Sequence, residues 1–366
     1  MSAGALGGPG GAALGAVGVL GADRAGPGAA QPRDVGEHSS SFGGRPGTAV
    51  GAGADPQQTR PRTTPPAPGP PADAGRTCQA GPVTTGTLPP LPEDVRWSVC
   101  LREVATSRVL AAHAPEQVLR TASVGKVFLL LEVARRLEAG ELDPDEPLSP
   151  APDETVADSG LWYLMRTDTL GVDDLCWLVG GFSDNLATNV LLRRVGLDAV
   201  TTLTRSLGVH RSALLDRVRE DRGPQHPPTL SVGCAEELSE LLARLHRGEL
   251  VSAAVSARVR GWLAANADLS MVASAFGLDP LAHGEPDRGV LLVNKTGTIS
   301  TVRVDVGVVT GPEGSVAWAV QADWQEAPRD PRGEVLAVMA EIGRRVADLV
   351  GVPAVPAGLR PARGSG

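Results

Sequence analysis

Lysine is nearly absent from this 366-residue chain: arginine carries almost all of the positive charge, and the only lysines are Lys126 and Lys295. Tyrosine occurs once, as Tyr163, and aromatic residues make up 3% of the chain. Basic residues are outnumbered, with 34 Lys+Arg against 42 Asp+Glu and a net charge of -8. That balance argues against a nucleic-acid or anionic-membrane surface as a partner. The four cysteines, Cys78, Cys100, Cys176 and Cys234, are far apart and contain no C-x-x-C pair. Neither a zinc site nor a disulfide framework is signalled, and buried free thiols are expected. The six histidines include no H-E-x-x-H, so no metal and no cofactor is implied.

Long apolar runs are missing too, since nothing approaches the roughly 20 residues that a membrane helix needs. Residues 12–22, AALGAVGVLGA, come nearest to the apolar core of a signal peptide. They are interrupted by glycine and preceded by no Lys or Arg, so cytoplasmic placement is favoured over export.

Residues 1–90 are rich in Gly, Ala, Pro, Ser and Thr and nearly devoid of large apolar residues. Such a segment cannot offset its ordering entropy and is expected to be a disordered tail, as are residues 354–366. Residues 91–353 carry the patterns of a folded domain. Alternation at Trp97, Val99 and Leu101 predicts a strand, followed by a second over Arg108–Ala112. Helices are predicted from Ser123, over Val172–Val179, Leu186–Val195, Ala199–Leu207, Ala235–Leu245 and Ala253–Ala264, and last over Gly333–Val350. Strands return at Val290–Val293, Arg303–Val309 and Ser315–Asp323. Strands at both ends enclosing helices predict an α+β fold, with an antiparallel sheet on one side of a helical region.

The stretch Thr121–Gly140 organises this domain. Ser123 stands three residues before Lys126, ahead of Val127, Leu130, Leu131, Ala134 and Leu137 at helical spacing. Serine and lysine at i and i+3 share one helix face. An amine set among Val124, Val127 and Phe128 is poorly solvated, which lowers its pKa and makes it a candidate base for activating the hydroxyl. A guanidinium would not serve, because it stays charged at all working pH values.

Two further motifs follow, Ser183-Asp184-Asn185 and Lys295-Thr296-Gly297-Thr298. Each alone has a bland reading: a helix cap with an exposed lysine, an N-cap and turn, a strand end with a turn glycine. Those readings are independent, whereas a catalytic reading requires all three together. Gly125-Lys126 is no phosphate-binding loop, since Arg120 stands where glycine is needed and Val127 where Ser or Thr is needed.

In order and spacing the three motifs resemble the S-x-x-K, S-D-N and K-T-G signature of the class A β-lactamases and related penicillin-recognising serine hydrolases. The resemblance covers roughly residues 95–350 and implies an acyl-serine hydrolase acting on β-lactams or related amides and esters. In it, Ser123 is the nucleophile and Lys126 its base, and Ser183 passes a proton to the departing nitrogen. The N–H groups of Ser123 and Thr298 form an oxyanion hole, worth about 3–4 kcal/mol per donor. Asn185 holds the acylamide side. Lys295, Thr296 and Gly297, with Arg303 nearby, bind the substrate carboxylate, and Tyr163 walls the cleft.

The chain departs from that pattern after Leu215-Asp216. The family carries there a glutamate, followed by Pro-x-Leu-Asn, that activates the deacylating water. Here Arg219 stands in its place, and Glu220 or Asp221 is the candidate substitute. Cys176 matches one half of the family's usual cysteine pair, but Leu130 stands at the partner position, so no disulfide is expected. Two rivals follow: an esterase or peptidase on the same fold, or a module that is acylated without turnover, as a sensor or scavenger. The expected partner is a small-molecule substrate, and a monomer is expected.

Overall fold

The computed structural model describes residues 87–354. The expected tails lie outside the described residues, except for 87–90 and 354. Leu88 and Leu91 rest against the core, so packing begins slightly before the residue-91 start expected from the sequence.

In chain order the elements are β1 (Arg96–Glu103), β2 (Val109–His113), β3 (Leu119–Arg120), a 3-10 turn over Ala122–Gly125, α1 (Lys126–Glu138), β4 (Pro147–Leu148) and β5 (Leu170–Gly171). Then come α2 (Val172–Phe182), α3 (Asn185–Val195), α4 (Leu197–Ser206), β6 (Ala213–Leu214), β7 (Ser231–Gly233), α5 (Ala235–Arg247) and α6 (Ala253–Ala264). The chain closes with β8 (Leu291–Ile299), β9 (Val302–Gly311), β10 (Gly314–Asp323) and α7 (Arg332–Leu349).

The main sheet is antiparallel in the order β2-β1-β10-β9-β8. Period-2 alternation divides its side chains between two cores. Val304, Val306, Val308, Ala317 and Ala319 face the helical region, where α1 is the central helix. Trp97, Val99, Leu292, Trp318 and Val320 face Val335, Met339, Ile342 and Val346 of α7. This is the α+β architecture expected from the sequence. Helix α1 is buried from Lys126 through Ala134. Leu129, Leu130 and Leu131 are each at most 1% exposed, so truncating any of them to alanine costs about 2–5 kcal/mol.

Two local readings are corrected. Ser123 lies on a 3-10 turn, and the α-helix itself starts at Lys126. The Lys295-Thr296-Gly297 motif lies inside a strand, because β8 runs on to Ile299, paired with β9 residue by residue from Leu291↔Thr310 to Ile299↔Val302. Apolar alternation stops at Val293, but the pairing does not depend on it. Among the described residues no helix is long and apolar enough to cross a membrane.

Candidate active site

The turn bearing Ser123 is held on one side by Ser231 of β7. Thr121 N donates to Ser231 O at 3.1 Å, and Ser231 Oγ donates to Ala122 O at 2.5 Å. Ala122 has φ +46°, a left-handed conformation that costs a non-glycine residue about 1–3 kcal/mol and persists only where its surroundings enforce it. On the open side runs β8, the edge strand of the sheet. Gly297 comes so close that a Cβ there would collide with Thr121 O and stand 3.2 Å from Ser123 N. Only glycine admits this approach, which sets Thr298 and Ser123 side by side on the cleft wall.

Lys126 is fully buried at the foot of that turn. Its Nζ donates to Ser183 O at 2.6 Å and Asn185 Oδ1 at 2.8 Å, and lies 3.4 Å from Ser183 Oγ. Burial, with repulsion from Lys295, pushes its pKa well below the usual lysine value, against a weaker opposing pull from Asp184. Lys295 is also fully buried and donates to Ser183 Oγ at 3.0 Å and Thr296 O at 2.9 Å. Burial lowers its pKa to about 8, while Asp268 and Asp305 hold it up. One serine hydroxyl therefore sits between the two amines of the chain. Two ammonium charges cannot both be favourable there, and Lys126 is the one pushed further toward neutrality.

Ser183 reaches this place because it terminates α2 with φ +54°. Asp184 then caps α3, accepting from Ala187 N at 2.9 Å, while its other oxygen takes Leu161 N at 2.7 Å and Trp162 N at 2.9 Å. The bland cap reading thus holds for Asp184 and leaves its neighbours free to face inward. Asn185 donates from Nδ2 to Ala157 O at 3.2 Å.

A cleft of about 650 Å³ opens over these groups, lined by Ser123, Ser183, Asn185, Thr296, Thr298 and Glu220, among others. Lys126 and Lys295 lie beneath its floor. Two expected site residues are placed elsewhere. Tyr163 is 39% exposed on the short turn Trp162–Leu164 and does not line the cleft. Arg303 is only 9% exposed; its Nη1 donates to Ile299 O at 2.6 Å and Val302 O at 2.7 Å, and its guanidinium lies over Trp324, 5.9 Å from the ring centroid. Arg303 braces the β8–β9 turn and is neither solvent-facing nor a cleft residue.

In the loop after β6, Asp216 is buried and accepts from Arg219 Nε at 2.8 Å, Arg222 Nη1 at 2.7 Å and Arg217 N at 2.8 Å. Burial alone would raise its pKa, but these donors hold it below the usual carboxylate value. Asn189 fastens the same loop, accepting from Val218 N at 2.8 Å and donating to Val218 O at 3.0 Å. Glu220 lines the cleft and accepts from Ala157 N at 3.1 Å. Asp221 is exposed and does not line it.

Sequence reasoning missed Asp268, a cleft-lining carboxylate between α6 and β8. It also missed the polar group behind Lys295. There Asn266 Nδ2 donates to Asn294 Oδ1 at 2.8 Å, and Asn294 Nδ2 donates to Asp305 Oδ1 at 3.1 Å. Asn294 and Asp305 are polar positions in otherwise apolar β8 and β9, a signal that Asn266 and Asp268 lack. Cys100, Cys176 and Cys234 are free and buried. Among the described residues no cluster of three His, Cys, Asp or Glu is arranged to hold a metal.

Comparison with known proteins bears on the family and the fold. The Streptomyces cacaoi beta-lactamase regulatory protein BlaB is 25% identical over 295 residues, which cover 69% of this chain and 91% of that one. A beta-lactamase from Rhodobacter capsulatus is 25% identical over 213 residues, 57% of this chain and 68% of the other. Among solved structures, the beta-lactamase from Sphaerobacter thermophilus superposes with a TM-score of 0.61 at 23% identity, covering 70% of this chain and 92% of that one. PBP-A superposes at 0.59 with 18% identity and the same coverage. A family model described as the beta-lactamase enzyme family matches residues 92–350, and the chain, with the class A β-lactamase type of α+β fold, belongs to that family.

Proposed function

We propose that this chain is an acyl-serine hydrolase of the class A β-lactamase type, opening β-lactams or related amides and esters through an ester on Ser123. The observation that carries the reading is the fully buried amine of Lys126, one helical turn from a cleft-lining serine and in hydrogen-bond contact with Ser183 and Asn185. Ser123 Oγ attacks the substrate carbonyl carbon, and its proton passes to neutral Lys126. The negative charge on the carbonyl oxygen is met by the N–H groups of Ser123 and Thr298. Collapse breaks the C–N bond, and the nitrogen takes its proton through Ser183 Oγ. Lys295 stays charged to meet a substrate carboxylate, with Thr296 beside it. Neither Arg303 nor Tyr163 is assigned a substrate contact.

A second reading, acylation without rapid turnover, is favoured by one feature of the loop. Asp216 is committed to Arg219 and Arg222, and Glu220 to the Ala157 amide. The buried carboxylate of that loop is therefore not offered to a water, and Glu220 already has one oxygen engaged by a backbone amide. A relative named as a beta-lactamase regulatory protein is in keeping with this.

The test is treatment with a chromogenic β-lactam, followed by intact-mass measurement and peptide mapping. One adduct on Ser123, absent from Ser123→Ala, is expected. Modification of a different serine, or equal labelling of the variant, would overturn the assignment.

A further inference from the structure

One arginine, carried on the strand that leads into the Ser123 turn, is bonded through its guanidinium to the end of β10 and to the β8–β9 turn beyond Thr298. Arg120 lies three residues before Ser123 and ends β3. Its fork grips the Asp323 carboxylate, with Nε 3.1 Å from Oδ2 and Nη2 2.6 Å from Oδ1, while its own amide approaches Oδ2 at 3.3 Å. The same Nη2 reaches Thr301 Oγ1 at 3.0 Å and Trp324 O at 3.2 Å. Thr301 is in the β8–β9 turn, three residues past Thr298, and its carbonyl accepts from Trp324 N at 3.0 Å. Asp323 is the last residue of β10 and its side chain is 1% exposed. A nearly buried carboxylate in a bidentate pair is far stiffer than an exposed ion pair.

We infer that Arg120 is a positioning residue for the oxyanion hole: through Asp323 and Thr301 it sets the separation of the Ser123 and Thr298 amides. This rests on the acyl-enzyme reading above. The logic is geometric. The Ser123 turn belongs to the helical side and β8 to the sheet edge, so the separation of their amides depends on what fastens one piece to the other. Hole donors must lie about 2.7–3.1 Å from the position the oxyanion will occupy. An arginine carried on the strand of the first piece and bonded to the β10 end and β8–β9 turn of the second fixes that separation. Lysine would not reproduce it, because its ammonium is a point charge without a fork.

Arg96 supplies the control. It also pairs with Asp323, 2.9 Å away, but is 56% exposed and has no bond to the β8–β9 turn. The experiment acylates the parent, Arg120→Met, Arg120→Lys, Thr301→Val and Arg96→Met with a β-lactam. It reads the ester carbonyl stretch of each acyl-enzyme by infrared difference spectroscopy, together with acylation rate and non-covalent substrate affinity. A well-placed hole polarises the carbonyl and lowers its frequency. Arg120→Met should raise the frequency and slow acylation about 10- to 100-fold at unchanged affinity, since a misplacement of 1 Å is worth about 10²-fold. Arg120→Lys and Thr301→Val should shift the frequency part of the way, and Arg96→Met should leave it at the parent value. If Arg120→Met does not fold, the lysine and valine variants carry the same comparison. An adduct on Ser123 with an unmoved carbonyl frequency in the Arg120 and Thr301 variants, or an equal shift in Arg96→Met, overturns the inference. A parent that takes no adduct at Ser123 instead overturns the acyl-enzyme reading, and this inference with it.

Discussion

Lys126 Nζ stands 2.8 Å from Asn185 Oδ1, so the buried amine of one motif is held by the amide of another, 59 residues on. A neutral amine in that contact can still donate, so the bond survives when Lys126 gives up its charge. With burial pushing the Lys126 pKa well down and the Lys295 pKa to about 8, the two lysines define a pH window. In the proposed scheme acylation requires neutral Lys126 and charged Lys295. The second-order acylation rate should therefore rise with pH as Lys126 loses its proton and fall above about pH 8 as Lys295 loses its own. Stopped-flow rates across pH 5–10 check this. Lys295→Arg should abolish the alkaline fall, because a guanidinium does not deprotonate there. An unchanged alkaline limb in that variant would remove Lys295 from the scheme.

Gly297→Ala places a methyl group against Thr121 O and within 3.2 Å of Ser123 N. Both obstacles are backbone, so β8 and the Ser123 turn must part. The acylation rate should drop about 10²-fold, on the scale of losing one hole donor, while the melting temperature falls by only a few degrees. Rates near the parent value would show that the strand edge and the turn tolerate separation.

Turnover should show a burst followed by a slow steady state. General-base assistance is worth about 10²–10⁴-fold, and arginine at position 219 cannot supply it, because a guanidinium has no acceptor to offer. Glu220 is the cleft-lining carboxylate of this loop and is bonded to Ala157 N. Glu220→Ala and Asp221→Ala should both retain the parent's burst and steady-state rate. Accumulation of acyl-enzyme only in Glu220→Ala would assign that residue as the base, and rapid burst-free hydrolysis by all three proteins would place water activation elsewhere.

Asp305 should make stability fall as pH rises. Burial raises its carboxyl from 3.8 to about 6, despite bonds from Asn294, Trp318 and Ala273 N. Between those values the folded chain binds more protons than the unfolded one, so unfolding free energy declines with pH through that window and stays lower above it. Asp305→Asn lacks this titration. Relative to the parent, it should gain roughly 3 kcal/mol in denaturant-measured stability between pH 4 and 7. A constant difference across that range would show that Asp305 titrates normally.

Much of this protein was legible in its residues. Hydrophobic periodicity located the strands and helices, because a face that must be buried imposes its spacing locally. The two retained lysines, Ser123, and the order of the three motifs pointed to one site for a similar reason: each motif places its groups through its own turn, cap or strand. What the tertiary structure alone decided were contacts between residues far apart in the chain. Arg303 looked like a carboxylate-binding arginine until the β8–β9 turn offered it two carbonyls. Glu220 and Asp221 were equivalent candidates until the loop fastened by Asn189 left the first at the cleft and the second outside it. Asp305, Asn294 and Asn266 were isolated polar letters until strand pairing and the end of α6 brought them together. Arg120 was an ordinary arginine until the end of β10 came within its reach. Burial and hydrogen-bond partnership belong to the assembled fold, and with them the pKa of every buried amine and carboxylate; a local pattern specifies which face turns inward but not what it meets there.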